Sequence, residues 1–171
     1  DAASMLLKAN YKMGDIKLGG AYLSIGEGNF GTSNAHTVIA VTAAYSMGQF
    51  TFGGGFQSET DTGGVSGADV TNISIGGSMK LSKTGTVKAH YVALDAEAAA
   101  SNASMIALGY DHACDDNTTI YAAFAQTSND ANASFISNGK GHGDAVAVTA
   151  GDDSMAISFG IVSKFDVNLL K

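Results

Sequence analysis

Chemistry at a protein site needs titratable or nucleophilic side chains that a fold can bring together, and this chain offers few of them. Its four histidines, His36, His90, His112 and His142, are scattered, with no H-x-x-x-H or H-E-x-x-H pair to set two metal ligands on one helical face. Cys114 is the single cysteine, which excludes an internal disulfide and any zinc site built on paired cysteines. Asp115-Asp116 and Asp152-Asp153 could meet a hard cation, but neither has the D-x-D-x-D-G spacing of a calcium loop, and Asp favours turns on its own account. The run from Gly26 to Gly31, GEGNFG, matches G-x-G-x-x-G. A dinucleotide site then needs a helix and, about 20 residues on, an acid. Here TSNAHTVIAVTAAY follows and reads as a strand, and Thr51 stands where the acid belongs. The residues therefore predict no catalytic centre, no cofactor and no metal site: the chain is not expected to be an enzyme.

The remaining chemistry is charge, and its distribution is unusual. All nine basic residues are lysine, only 15% of positions are charged, there are 22 glycines and no proline or tryptophan, and the net charge is −7. An acidic chain without arginine has no basic patch for phosphate and no base reader, so nucleic acid is excluded as a partner. Charge this sparse is also atypical of a soluble surface. No run of 18 apolar residues occurs, so no helix is predicted to span a bilayer.

Period-two alternation organises the sequence into nine stretches: Ser4 to Met13, Ile16 to Ile25, His36 to Ser46, Phe50 to Gln57, Val70 to Ser82, Thr86 to Asp95, Ser104 to Ala113, Thr118 to Thr127 and Ser154 to Phe165. Short connectors (Gly14-Asp15, Met47 to Gln49, Lys83 to Gly85, Cys114 to Asn117) alternate with long ones (Gly26 to Ala35, Ser58 to Asp69, Ala96 to Ala103, Ser128 to Asp153). Tight turns thus fall at one end of the strands and long loops at the other. GEGNFG lies in the first long loop, where glycine tolerates positive φ. Globular strands cluster near five or six residues, whereas strands of about ten tilted residues cross a bilayer.

Alternation also sorts the side chains. Leu7, Ala9 and Tyr11 oppose Lys8, Asn10 and Lys12; Ile16, Leu18 and Tyr22 oppose Lys17; Ile73, Ile75 and Met79 oppose Ser74, Ser78 and Lys80. Val87, Ala89 and Tyr91 oppose Lys88 and His90, and Met155, Ile157, Phe159 and Ile161 oppose Ser158 and Lys164. Every strand lysine takes the polar parity. Aromatic residues gather beside the tight turns (Tyr11, Tyr45, Phe50, Tyr110, Tyr121, Phe165), as in the interfacial girdle of a membrane barrel. A soluble or surface-displayed β-sandwich, an adhesin or lectin-like binding module, would show the same alternation with its apolar face inward, and both architectures stay open on period alone.

From Ile106 onward, IALGYDHACDDNTTIYAAFAQTSND and then SMAISFGIVSKF resemble the closing strands of Gram-negative general porins of the β-proteobacterial type. The matching positions are Gly109, Tyr110, Asp111, Thr119, Ile120, Tyr121, Phe124 and Phe165; Cys114 to Asn117 stand where the family's turn usually reads Ser-Lys-Arg, and six residues follow Phe165. The resemblance implies an all-β, antiparallel transmembrane barrel of sixteen strands, usually a homotrimer. Such a barrel sits in the bacterial outer membrane among lipid and lipopolysaccharide, and small hydrophilic solutes and ions diffuse through it. It further implies an arginine-lined constriction facing an inward-folded loop in the N-terminal half, and a closing aromatic, here Phe165, read as the assembly signal. Strand parity and this resemblance together assign Lys8, Lys12, Lys17, Lys80, Lys88, His90 and Lys164 to the pore lining. Residues 1–165 are expected to form the C-terminal part of such a barrel, about nine strands, with residues 166–171 as a tail.

Charge placement refines the expectation. Lys12, Lys17, Lys80, Lys88 and Lys164 lie near the tight turns or Phe165. The acids Glu27, Glu59, Asp61, Asp69, Glu97, Asp130, Asp144, Asp152 and Asp153 fall in the long loops. A pore of this kind is acidic outside and basic at its inner mouth. Either the lysines bias that mouth toward anions, or they only keep the wall wet.

Overall fold

The computed structural model describes residues 3–31, 33–138 and 147–165. Each alternating stretch forms a strand: β1 (Ser4–Met13), β2 (Ile16–Ile25), β3 (His36–Met47), β4 (Phe50–Thr60), β5 (Val70–Lys80), β6 (Gly85–Ala96), β7 (Ala103–Ala113), β8 (Thr118–Asn129) and β9 (Ser154–Ser163). They pair in sequence order into one antiparallel sheet. The tight turns work because Gly14 and Gly48 each take φ 58°, a left-handed conformation that costs glycine little. GEGNFG is a loop turn with Gly28 and Gly31 at positive φ, and β3 follows it, so no helix N-terminus is available to hold a phosphate.

Register carries the two parities from strand to strand. Tyr11 pairs with Leu18, Leu7 with Tyr22, Ile75 with Tyr91, and Phe124 with Ile157. Lys8 pairs with Ala21, Gln57 with Asn72, Ser78 with Lys88, and Ala123 with Ser158. One face is thus continuously apolar across all nine strands, and the other is small and polar through its middle, with large apolar residues such as Leu6, Leu23 and Val92 toward the long-loop end. The apolar face is not covered. Leu18, Ile75, Tyr91, Ile157 and Phe159 are exposed, Phe159 at 76%, while Tyr22, Met79 and Val87 are half-buried. Among the described residues Ala133 is the one buried apolar side chain. A sandwich must bury an inner face against a second sheet, and the described residues form neither a second sheet nor a packed core. The apolar face must meet another apolar medium, since this much exposed hydrocarbon would aggregate in water.

Several expected details shift. β4 runs on to Thr60, because its ladder with β3 continues through Glu59 opposite Val38 after the apolar pattern has ended; Glu59 is therefore a strand residue. β5 stops at Lys80, where Leu81 and Ser82 turn back onto the Gly85 carbonyl and Ser82 Oγ accepts the Thr84 and Gly85 N–H groups. Tyr121 does not belong to the outward girdle. It pairs with Asp111 and Gly160 on the polar face, its ring lying where a Cβ on Gly160 would be. β9 ends at Ser163, so Phe165 stands beyond the ladder, 85% exposed. Tyr11, Tyr45, Phe50 and Tyr110 do share the apolar face near the tight turns, and Phe50 stacks on Phe52 at 5.9 Å. His142, Asp144 and the tail 166–171 lie outside the described residues.

Candidate functional site

The polar face is built from residues that leave space. Between β3 and β6 its centre is a shallow depression of about 380 Å³ lined by Ala44, Thr51, Gly53, Ser74, Gly76 and Ser78, with His90 at its edge. Gly76 matters here because a Cβ would come within 2.8 Å of the His90 ring, so the missing side chain lets the imidazole lie against the wall. A wall of glycine, serine, threonine and alanine presents backbone and hydroxyl groups to water without filling the space before it.

The cationic groups sit toward the tight-turn end. Lys12 lies directly opposite Lys17, a like-charged cross-strand pair of the kind that destabilises a sheet. Lys88 is opposite Ser78, one diagonal step from Lys80 at the end of β5. Lys88 also forms an ion pair with Asp111 of β7. That acid takes the polar parity and removes part of the lysine's field, a pairing the sequence reading did not anticipate. Lys164 follows β9, its N–H donating to the Asn117 carbonyl at 2.9 Å, and Lys8 lies farther up β1 opposite Ala21. His90 pairs with Gly76 and Ala107 in mid-sheet. All seven side chains assigned to the lining are exposed; they are spread over the turn end and middle of one face, not gathered into a single cluster.

The opposite end carries a different arrangement. His36 Nε2 meets Glu59 Oε2 at 3.1 Å, Gln57 Nε2 donates to Glu59 Oε1 at 2.6 Å, and Thr62 Oγ1 donates to Glu59 Oε2 at 3.5 Å. Loop acids mostly hold backbone. Asp61 Oδ1 accepts the Gly67 N–H, Asp69 Oδ1 accepts the Asp61 N–H, and Asp153 accepts from Asn129 N–H and the Ser128 hydroxyl. In the last tight turn Asp115 Oδ1 accepts N–H groups from Asn117 (2.7 Å) and Thr118 (2.8 Å). The Asn117 hydrogen bond is the main cause of a carboxyl pKa below its ordinary 3.8, with the Thr118 bond adding to it. The acidic pairs of the sequence thus close turns and loops.

A nine-stranded antiparallel sheet of long strands, apolar on one face and small, polar and lysine-bearing on the other, is the wall of a transmembrane β-barrel. The sequence profile of the Gram-negative porins matches residues 1–132. The chain belongs to the Gram-negative porin family, whose place is the bacterial outer membrane. No curated protein sequence matches it. Among solved structures it is similar to the anion-selective porin from Comamonas acidovorans, at 26% identity and a TM-score of 0.78 over 92% of this chain. It covers 48% of that porin, and so spans about half its length. OmpT, an outer membrane protein of Vibrio cholerae, shares the fold at 15% identity and a TM-score of 0.59, over 93% of this chain and 55% of its own. A trimer form of OmpT gives a TM-score of 0.60 at 17% identity, over 93% of this chain and 56% of that one.

Proposed function

We propose that this chain forms part of the wall of a water-filled outer-membrane channel for small hydrophilic solutes, and that its lysines bias the tight-turn mouth toward anions. In this reading residues 1–165 are the C-terminal part of a sixteen-stranded, homotrimeric barrel, Lys8, Lys12, Lys17, Lys80, Lys88, His90 and Lys164 line the pore, and Phe165 is the assembly signal. The observation that carries the anion preference is the direct opposition of Lys12 and Lys17. A sheet that keeps two cations face to face on its water side gives up stability there, and attraction of a mobile anion is what offsets such a field. Two hairpins away Lys80 and Lys88 lie one diagonal step apart on the same face. A single exposed charge is screened beyond about 8 Å at physiological salt, but several around one confined opening add their potentials. The description of the Comamonas acidovorans relative as anion-selective agrees with this reading.

The test is reversal potential in a salt gradient at low ionic strength, with the full-length protein in planar bilayers. Changing Lys12, Lys17, Lys80, Lys88 and Lys164 together to Gln is expected to lower the anion-to-cation permeability ratio. An unchanged ratio would leave the lysines as a wetted wall.

A further inference from the structure

The connector between β8 and β9 does not stand clear of the sheet. Its described part from Ala133 to Asn138 turns back over the polar face, and Ser137 anchors it there. The Ser137 N–H donates to Ser154 Oγ at 3.0 Å, its hydroxyl donates to the Ser154 carbonyl at 2.7 Å, and that hydroxyl lies 3.0 Å from Thr127 Oγ1. Thr127 and Ser154 are register partners on the polar face, and Thr127 is only 3% exposed because the segment covers it. A second tie fixes the approach. Asn129 Nδ2 donates to the Phe135 and Asp152 carbonyls, both at 2.9 Å, while its Oδ1 accepts the Phe135 N–H at 2.9 Å. The Gly151 N–H closes onto the Ala133 carbonyl at 2.9 Å.

The wall beneath breaks its own rule. As Leu6, Leu23 and Val38 do on β1 to β3, Val92, Leu94 and Met105 hold the polar parity on β6 and β7, Val92 opposite Ser74 and Met105 and Leu94 opposite Asn72, yet they are large and apolar. With Phe135 and Ile136 they line a cleft of about 180 Å³. Apolar side chains on a water-lined wall cost free energy unless something covers them, and Phe135 and Ile136 are what the fold places there.

We propose that residues 133–138 are a fixed ledge that narrows the long-loop mouth of the pore and sets the largest solute that enters. This rests on the channel reading above. It is separate from the N-terminal inward loop that the resemblance implies, since it is held by β8 and β9 and rests on β6 and β7. Its floor is mainly apolar and none of residues 133–138 is charged, so this segment acts by size.

Two variants of the full-length protein test it, both scored for folding by heat-modifiable migration. In a Cys114→Ser background, Thr127→Cys with Ser137→Cys should oxidise to a disulfide, seen as the loss of two hydrogens in intact mass, with single-channel conductance unchanged. No disulfide, or a disulfide that changes the conductance, would show that the ledge ordinarily lies elsewhere and overturn the proposal. Phe135→Gly with Ile136→Gly should shift the exclusion limit in liposome swelling toward larger sugars while rates for the smallest sugar stay level. An unshifted limit would also overturn it. A wild-type protein that admits no sugar at all would instead remove the channel reading on which the ledge depends.

Discussion

Placing one lysine on either side of the wall gives a sharp test of which face meets lipid. Ile75 and Ser74 are adjacent on β5 and point to opposite faces. Ile75 is 65% exposed on the apolar side between Gly54 and Tyr91, and Ser74 lies on the polar side between Gly55 and Val92. Ile75 is the sixth of the strand's 11 residues. Five residues at about 3.4 Å each, tilted by about 40°, are about 13 Å along the membrane normal, close to half of an apolar band about 25 Å tall, so Ile75 falls at the bilayer midplane. Lysine there costs about 2 to 4 kcal/mol, which lowers the folding equilibrium about thirty-fold to nearly a thousand-fold. Ser74→Lys extends into water and should stay within about 0.5 kcal/mol. Reversible guanidinium unfolding of the full-length protein in phospholipid vesicles reads both. Equal costs, or a greater cost for Ser74→Lys, would refute the assignment of faces.

Asp111→Asn releases Lys88 from its partner and should raise the anion-to-cation permeability ratio, the opposite of the lysine substitutions, in the same reversal-potential measurement. Gly160→Ala would set a Cβ 2.5 Å from the Tyr121 ring, forcing the ring aside at about 1 kcal/mol, and Tyr121→Ala in the same chain should recover most of that loss in thermal unfolding. Asp115 has a lowered folded pKa, so its grip on Asn117 and Thr118 is complete above the ordinary value of 3.8 and is lost as pH falls through the lowered pKa. Protection of the Asn117 and Thr118 amides, measured against their intrinsic exchange rates, should therefore fall at acid pH in the wild type but not in Asp115→Asn.

The strands were legible because period two is a strong local signal, and the tight turns because Gly14 and Gly48 sit where a two-residue connection needs positive φ. The ends of β4 and β8 were not, since polar residues such as Glu59 and Asn129 stay in the ladder through partners on neighbouring strands. Nearness to a turn points Tyr121 to the girdle, but alternation with Ile120 and Ala122 sets it on the polar face, where it pairs with Asp111 and Gly160. The lysine face was readable from alternation, but Asp111 as the partner of Lys88 and Glu59 as the partner of His36 depend on cross-strand register, which no single stretch encodes. The ledge left only a weak trace, because large apolar residues hold the polar parity at Leu6, Leu23 and Val38 as well; Val92, Leu94 and Met105 stand apart only once Phe135 and Ile136 are seen above them.

A lysine-bearing face that encloses water continuous across the membrane must carry ionic current. Current recorded across a planar bilayer after adding the folded full-length protein tests this most directly. Discrete steps whose size scales with the bulk conductivity of the salt are expected, as a water-filled pore requires. Protein that inserts, keeps its heat-modifiable migration and leaves the bilayer electrically silent would contradict it.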